Sequence, residues 1–384
     1  MSTDNLRILY YTWEELTKDD ILEVFHRLDY AITVCNHPFT KYEEDEQLIE
    51  AVIRAAREGK CEYIFSFNYF PDLSRAAKKL GIIYVCWCFD SPMLTLWSKT
   101  VQNECNRIYT FDYMLMDYLK KKGIKTVSYK PLACNTHRME REFLRNEPHF
   151  EHQITFLGNL YNDRYDFYGK VKYLPDYLKG YVDAAIEAQL QIYGMDIISS
   201  TVNEKIGSEL LKYLKFNMSD NYLSCDREIL LNMIRRHVTV IERKRLLSVI
   251  GEFFPLDIYS QKKPEDIKGK YLGYAGYFTE MPKVFRNSKI NLNFTLRTIL
   301  SGIPLRVIDI MGAGGFCMTN YQAELQEYFE NGRDIVWFED PEDLFERIKY
   351  YLTHDAERTK IAENGNTIIK NCFSYDAVVP TLFS

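Results

Sequence analysis

The 384-residue chain lacks the features that mark several large classes of protein. It has no long apolar run: the longest, Ile82 to Phe89, is far too short to cross a bilayer. Its opening, MSTDNLRILYY, has neither the charged lead nor the apolar core of a secretory signal. It has no basic excess, since 48 Lys and Arg against 54 Asp and Glu leave a net charge of −6, which weighs against a nucleic-acid partner. There is no internal repeat and no low-complexity segment. The nine cysteines are odd in number and fall at neither metal-ligand nor disulfide-framework spacings, which fits a reducing compartment. Cys86 and Cys88 alternate within an apolar run and read as small hydrophobes on one strand face. Together these absences predict a cytoplasmic chain without metal, cofactor, nucleic-acid partner or transmembrane segment.

What is present describes a globular protein of about two domains by length alone. With 46% hydrophobic and 27% charged residues, the chain can build a large core without a metal or disulfide staple. The first half alternates strands and helices: strands at Leu6–Tyr11, Tyr30–Cys35, Tyr63–Phe67, Ile82–Phe89, Arg107–Thr110 and Thr126–Tyr129, with helical spacing between them. That rhythm implies a parallel, doubly wound sheet. Apolar periodicity fades over Asn135–Gln153, which reads as a linker. A second series starts at Ile154–Gly158, is interrupted from about 175 to 250 by a mostly helical insertion, and resumes with strands at Leu256–Ser260, Lys270–Tyr274, Ile290–Phe294, Phe316–Thr319 and Asp334–Phe338. The expected division is 1–145, 154–372 with the insertion, and a C-terminal tail at 373–384 that could fold back on the first domain. Basic clusters at Lys120–Lys122, Arg235–Arg236 and Arg243–Arg245 read as solvated helix faces. The 29 Tyr and 23 Phe are core packing, or in part a sugar-stacking surface; composition does not separate the two.

The densest chemistry lies in Met281–Gly315, MPKVFRNSKINLNFTLRTILSGIPLRVIDIMGAGG. It reads as a strand, a loop, a helix opening near Ser301–Pro304, and a Gly-Gly stop. A helix N-terminus presents unpaired N–H groups and a positive dipole end, and so attracts anions. Arg297 and Arg306 add planar guanidinium forks that match phosphate oxygens, and Gly302 would let backbone approach them. A cation in a first helical turn is electrostatically poor unless an anion arrives, which favours Arg306 as a diphosphate contact. Ser301 suits the helix cap. Asp309, a turn further on, could reach a second part of the same ligand, and phosphate plus a hydroxyl-bearing group suggests a nucleotide sugar. The glycines do not form GxGxxG after a first strand, so a nicotinamide site is not expected.

GIPLRVIDIMGAGGFCMTN and the following AELQEYFENGRDIVWFEDPEDLFERIKYYLTHDAERTKIAENG resemble the C-terminal part of CgeB-like spore-maturation glycosyltransferases, which group with glycosyltransferase family 4. IYVCWCFDSP and YKPLACNTH resemble that family's first domain. The resemblance implies the α/β glycosyltransferase B fold: two Rossmann-like, doubly wound domains facing a cleft, with the acceptor on the first and the nucleotide sugar on the second. It implies no catalytic metal. In family 4 two glutamates are separated by seven residues. Asp309 takes the second position, which contacts the ribose, while Ser301 replaces the first, whose carboxylate touches the transferred sugar. The Gly158-Asn159 turn and Arg164 are implied phosphate contacts, and Tyr277 in YLGYAGYF could stack on uracil. Asp90, directly after a buried strand, could accept the proton of an acceptor hydroxyl, or could simply cap the turn before Ser91-Pro92. Asn68 and His37 also follow strands and are expected on the acceptor side. The expected activity is sugar transfer from a nucleoside diphosphate donor, UDP-linked, to a glycan, surface-polymer or protein hydroxyl. A catalytically silent nucleotide-sugar binder, an epimerase and, more distantly, a dehydrogenase are the alternatives.

Overall fold

The computed structural model describes residues 6–41, 43–143, 150–161, 166–171 and 173–384. They form two units: Met1–Asn135 with Met218–Cys225 and Phe373–Ser384, and Thr136–Asn217 with Asp226–Cys372.

The first unit runs β1 (Arg7–Tyr11), α1 (Lys18–Arg27), β2 (Ala31–Cys35), α2 (Glu46–Glu58), β3 (Tyr63–Phe67), α3 (Pro71–Leu80), β4 (Ile83–Trp87), β5 (Asn106–Thr110), α4 (Tyr113–Lys121) and β6 (Val127–Tyr129). The strands are all parallel, in the order β2-β1-β3-β4-β5-β6. β1, β3 and β4 are buried at four of their five positions, which is why they read as continuous apolar runs rather than alternating ones. Asp45 caps α2 by accepting from Leu48 N–H, and Gly81 ends α3 in the left-handed conformation (φ +71°) that a side chain disfavours. The last residues of the chain belong to this unit. Phe383 packs into the aromatic cluster of Phe25, Tyr30, Tyr63 and Phe65, and Arg27 forks onto Asp376 at 3.1 and 2.7 Å.

The second unit opens with α5 (Thr136–Phe143), inside the stretch expected to be linker, and β7 (His152–Leu157). A helical layer follows: α6 (Asp176–Leu190), α7 (Ile198–Thr201), α8 (Glu204–Leu210) and α9 (Asp226–Phe253). Then come β8 (Leu256–Tyr259), β9 (Lys270–Gly273), α10 (Glu280–Arg286), β10 (Ser288–Asn293), α11 (Leu305–Gly312), β11 (Cys317–Asn320), α12 (Leu325–Tyr328), β12 (Val336–Phe338), α13 (Pro341–Thr353) and α14 (Asp355–Cys372). The sheet is again parallel, ordered β12-β11-β10-β7-β8-β9.

The 28-residue α9 is about 42 Å long at 1.5 Å per residue. Leu230, Ile234 and Val238 pack with α6 residues Val182 and Ile186 in the helical layer's own core. Leu246, Leu247 and Ile250 pack against the sheet core around Phe156, Leu256 and Ile290. One helix thus joins both cores. Two of its basic clusters are solvated only in part: Lys244 and Arg245 are exposed as expected, but one arginine of each cluster turns inward. Arg235 and Arg243 are 4% and 7% exposed, because each has acceptors waiting inside the fold. Arg235 forks onto Asp196 at 3.2 and 2.7 Å. Burial pushes the Asp196 carboxyl up, but the Arg235 charge and hydrogen bonds outweigh it and hold the group below its ordinary value.

Candidate functional site

In an open parallel sheet, ligands settle beyond the carboxyl ends of the strands, at the point where the strand order reverses. In the second sheet the chain starts at β7, moves outward through β8 and β9, then returns to the other side with β10. The reversal therefore lies between β7 and β10, and the segments leaving these strands are Gly158-Asn159 and residues 294–304. Arg243 ties them together, donating through one Nη to the Asn159 carbonyl and through the other to the Phe294 carbonyl. Its guanidinium lies over the rings of Phe156 and Tyr161 at 5.7 and 5.3 Å. Asn159 Oδ1 accepts from Tyr161 N–H at 2.7 Å, closing the turn. Gly158 passes the Phe156 ring so closely that an added Cβ would come within 3.1 Å of it.

Arg297 was expected to face phosphate; the structure commits it elsewhere. Its Nε and Nη2 fork onto the Glu242 carboxylate at 3.2 and 2.6 Å, and its Nη1 donates to the Ile192 carbonyl at 2.8 Å. The ring of Tyr193 lies 4.3 Å from the guanidinium. The side chains of Arg297 and Glu242 are 8% and 1% exposed. Glu242, once buried, needs this cation more than an incoming anion does. Burial raises the Tyr193 hydroxyl pKa, and the Glu242 charge adds to the rise. Thr239, one turn before Arg243 on α9, accepts from Arg297 N–H at 2.9 Å.

Ser301 is likewise not the helix cap. Pro304 holds that position, and its rigid extended backbone (φ −72°, ψ 151°) starts α11 at Leu305. Ser301 is buried and donates to Glu324 Oε1 at 2.7 Å, while Glu324 N–H returns to the Ser301 carbonyl at 3.2 Å. Gly302 is buried in the same loop. The loop's start is fixed by buried polar groups that the sequence reading missed: Thr295 N–H donates to Asn320 Oδ1 at 2.7 Å, and Asn293 Nδ2 donates to Thr295 and Thr319 hydroxyls at 3.0 and 2.9 Å.

Arg306 lies in the first turn of α11, with 31% of its side chain exposed. Its Nη1 stands 2.8 Å from Met281 Sδ and 4.0 Å from Asp309 Oδ2, and the Phe285 ring lies beneath it at 5.5 Å. Asp309 is 2% exposed. The first-turn N–H groups of α11, a partly exposed guanidinium and a buried carboxylate one turn below thus sit together. The helix ends where Gly314, at φ +71°, reverses the chain, and Gly315 runs so close to the Phe285 carbonyl that a Cβ there would lie 2.6 Å away. Tyr277 follows β9 and is half-buried; the Arg138 guanidinium covers its ring at 5.1 Å. Arg164 lies outside the described residues. Among the described residues no group of three His, Cys, Asp or Glu side chains could hold a metal.

In the first unit the strand order reverses between β1 and β3. A cavity of about 290 Å³ opens at the carboxyl ends of β1, β3 and β4, lined by Trp13, Phe39, Asn68, Tyr69, Phe70 and Asp90 among others. Asn68, 9% exposed, has a left-handed backbone (φ +63°), which Asn tolerates better than most residues. Its Oδ1 accepts from Phe89 and Asp90 N–H at 2.9 and 3.2 Å, and its Nδ2 donates to Asp90 Oδ2 at 2.7 Å. His37 contributes differently: its carbonyl accepts from the Tyr11 hydroxyl at 3.1 Å, and Phe39, two residues on, lines the cavity. No described helix is long and apolar enough to cross a membrane.

Residues 235–384 match a family described as glycosyl transferase-like. No curated protein matches the chain by sequence. Among solved structures, the glycosyltransferase from Rickettsia africae ESF-5 superposes with a TM-score of 0.53 over 99% of this chain and 97% of its own, at 10% identity. Anabaena HepE in complex with UDP gives 0.51 over 98% of each chain at 9% identity. The DNA-modifying enzyme β-glucosyltransferase, solved with and without uridine diphosphoglucose, gives 0.51 over 98% of each chain at 8% identity. The chain therefore has the two-domain, Rossmann-like α/β fold of the B-type glycosyltransferases.

Proposed function

We propose that this protein transfers a sugar from a nucleoside diphosphate donor, UDP-linked, to an acceptor hydroxyl, independently of a metal ion. The observation that carries this reading is the grouping beside the β7/β10 reversal: the Gly158-Asn159 turn, the 294–304 loop, the α11 N-terminus with Arg306, and the buried Asp309. A diphosphate would meet the helix dipole and the Arg306 fork, and Asp309 would accept from a ribose hydroxyl. The same positive groups would stabilise the departing diphosphate, which is where charge develops. Tyr277, Gly302 and Arg164 belong to this donor side in the same reading. UDP is favoured because HepE was solved with UDP, and with UDP-glucose, on a similar fold. A finer kinship with CgeB-like enzymes rests on the C-terminal segments GIPLRVIDIMGAGGFCMTN and AELQEYFENGRDIVWFEDPEDLFERIKYYLTHDAERTKIAENG together with IYVCWCFDSP and YKPLACNTH in the first half.

On the acceptor side, Asp90 would take the hydroxyl proton as sugar is transferred, with Asn68 holding the carboxylate in place. Of the two roles open to Asp90, the Asn68 hydrogen bonds favour the catalytic one: the capping function at this corner is filled by Asn68 Oδ1. The acceptor reading is a glycan, surface-polymer or protein hydroxyl.

A catalytically silent binder is the second reading, favoured by Ser301 where a carboxylate is expected. Glu324 weakens that reading, because it brings a carboxylate within 2.7 Å of the Ser301 hydroxyl. A panel of UDP- and GDP-sugars, followed for binding by thermal shift and for slow donor hydrolysis in EDTA, separates the two. Hydrolysis of a UDP-sugar in EDTA is expected. Binding without turnover, with acceptors present, selects the silent binder, and no shift with any donor removes both.

A further inference from the structure

The second unit holds a cavity of about 360 Å³ at the opposite, amino-terminal edge of its sheet. Its walls are the start of β10 (Ser288, Lys289), the residue Arg286 just before it, and the α14 residues Arg358, Glu363 and Asn366, with Phe150 at the rim. The length of β10, six residues at about 3.3 Å each, separates it from the α11 N-terminus by roughly 20 Å.

Among the described residues, three cations line this cavity against one carboxylate, Glu363, and Glu363 lies 3.9 Å from the exposed Lys360. Asp355, outside the cavity wall and 62% exposed, is shared between Arg358 Nη1 at 2.7 Å and Lys289 Nζ at 3.6 Å. Arg358 is 2% exposed. Its Nη1 also donates to the Tyr351 carbonyl, but its Nε and Nη2 have no hydrogen-bond partner among the described residues. The Phe150 ring lies 5.6 Å from the guanidinium. A buried guanidinium with two donor groups unsatisfied is costly unless an acceptor arrives. Burial also holds the Arg286 guanidinium below its ordinary pKa.

We propose that this cavity is a second ligand site, which binds the phosphate group of a small phosphorylated metabolite on Arg358, Arg286 and Lys289. A phosphate monoester carries close to two negative charges and three acceptor oxygens, enough to engage two guanidinium forks and an ammonium at once. The cavity exceeds what a phosphate alone fills, leaving room for the group that bears it. In the wall, Asn366 Oδ1 and Thr359 Oγ1 can accept from a hydroxyl-bearing body such as a sugar, their own hydrogens being donated to the Met311, Gly312 and Asp355 carbonyls. This site is independent of the donor site.

The test uses the full chain, with inorganic phosphate and a hexose 6-phosphate as probes in calorimetry and thermal shift. The hexose phosphate should bind wild type and raise its melting temperature. Lys289→Gln and Arg286→Gln should each weaken it by about tenfold or more. Arg306→Ala should leave it unchanged. Arg358→Gln should abolish it, and because that variant also loses the Tyr351 and Asp355 contacts, the other two carry the test if it fails to fold. Inorganic phosphate binding as tightly as the ester assigns the site to phosphate itself; tighter ester binding assigns it to a phosphorylated metabolite. Absence of binding by either probe overturns the proposal. So does binding that is lost in Arg306→Ala while Lys289→Gln and Arg286→Gln retain it.

Discussion

Asn68 donates to Asp90 across two parallel strand ends, Nδ2 to Oδ2 at 2.7 Å, while its Oδ1 accepts from the backbone N–H of Phe89 and Asp90. One amide thus fixes both the turn and the carboxylate on it. If Asp90 is the base, its orientation is set by Asn68, and misplacing a reacting group by an ångström costs about a hundredfold in rate. Asn68→Gly keeps the left-handed backbone and removes the amide. We expect kcat to fall on the order of ten- to a hundredfold with donor KM unchanged. Asn68→Ala should show the same loss and also melt earlier, since Ala at φ +63° adds roughly 1 kcal/mol of strain. Unchanged kcat in Asn68→Gly would remove Asp90 and Asn68 from the chemistry.

Arg306→Ala should weaken UDP binding roughly ten- to a hundredfold, the worth of one charge-assisted contact of about 1.5–3 kcal/mol. The side chain is partly exposed and held by a thioether and a distant carboxylate, so folding should change little. Calorimetry with UDP checks this, and an equal dissociation constant places the diphosphate elsewhere.

Arg297 and Glu242 predict the opposite pattern. Their ion pair is buried on both sides, so Arg297→Ala should lower stability by about 3–5 kcal/mol, because it strands a carboxylate in the core. Urea unfolding of Arg297→Ala and of Arg297→Met with Glu242→Leu compares the stranded charge with its apolar replacement; the double variant should recover much of the loss. A stable Arg297→Ala that fails to bind UDP would return Arg297 to the phosphate.

Ser301→Glu sets a second carboxylate against Glu324 in a buried loop. Two such groups cannot both ionise cheaply, so the variant should unfold earlier than wild type. Adding Glu324→Ser should restore much of the loss. Melting temperatures at neutral pH decide it, and a Ser301→Glu variant as stable as wild type would show that the loop separates the two carboxylates.

Asp45 carries a pH prediction. It accepts first from Thr40 N–H and then from the Thr40 hydroxyl, Lys41 N–H and Leu48 N–H, which lower its pKa to about 2. A carboxyl that is more acidic folded than unfolded stabilises the fold above its unfolded pKa near 3.9 and loses that contribution as pH falls towards 2. Asp45→Asn should be less stable than wild type at pH 7, and the urea midpoints of the two should converge between about pH 4 and 2. A constant gap across that window would assign the effect to capping geometry alone.

Strand identity, the helical insertion and the α11 region were legible in the sequence because their signals are local. β4 announces itself by an unbroken apolar run, since a strand buried on both faces needs one. Pro304 and Gly314 mark the two ends of α11 through their own backbone preferences. The positions of Gly158-Asn159, Asn68 and Asp90 at strand ends followed from the same signals.

Which charges were spoken for did not follow from them. Arg297 and Glu242 lie 55 residues apart, and Arg243 reaches Asn159 across 84; no periodicity in either segment pairs them. Asp45 is drawn to a loop beside it, but Ser301 is claimed by Glu324 only because β10 and β11 are neighbours. The sequence alone determined where the sheets, helices and strand-end loops fall, because burial and backbone preference act within a few residues. The tertiary structure alone decided which cation keeps a surface to offer a ligand, because a buried charge takes its partner from whatever element the topology brings alongside.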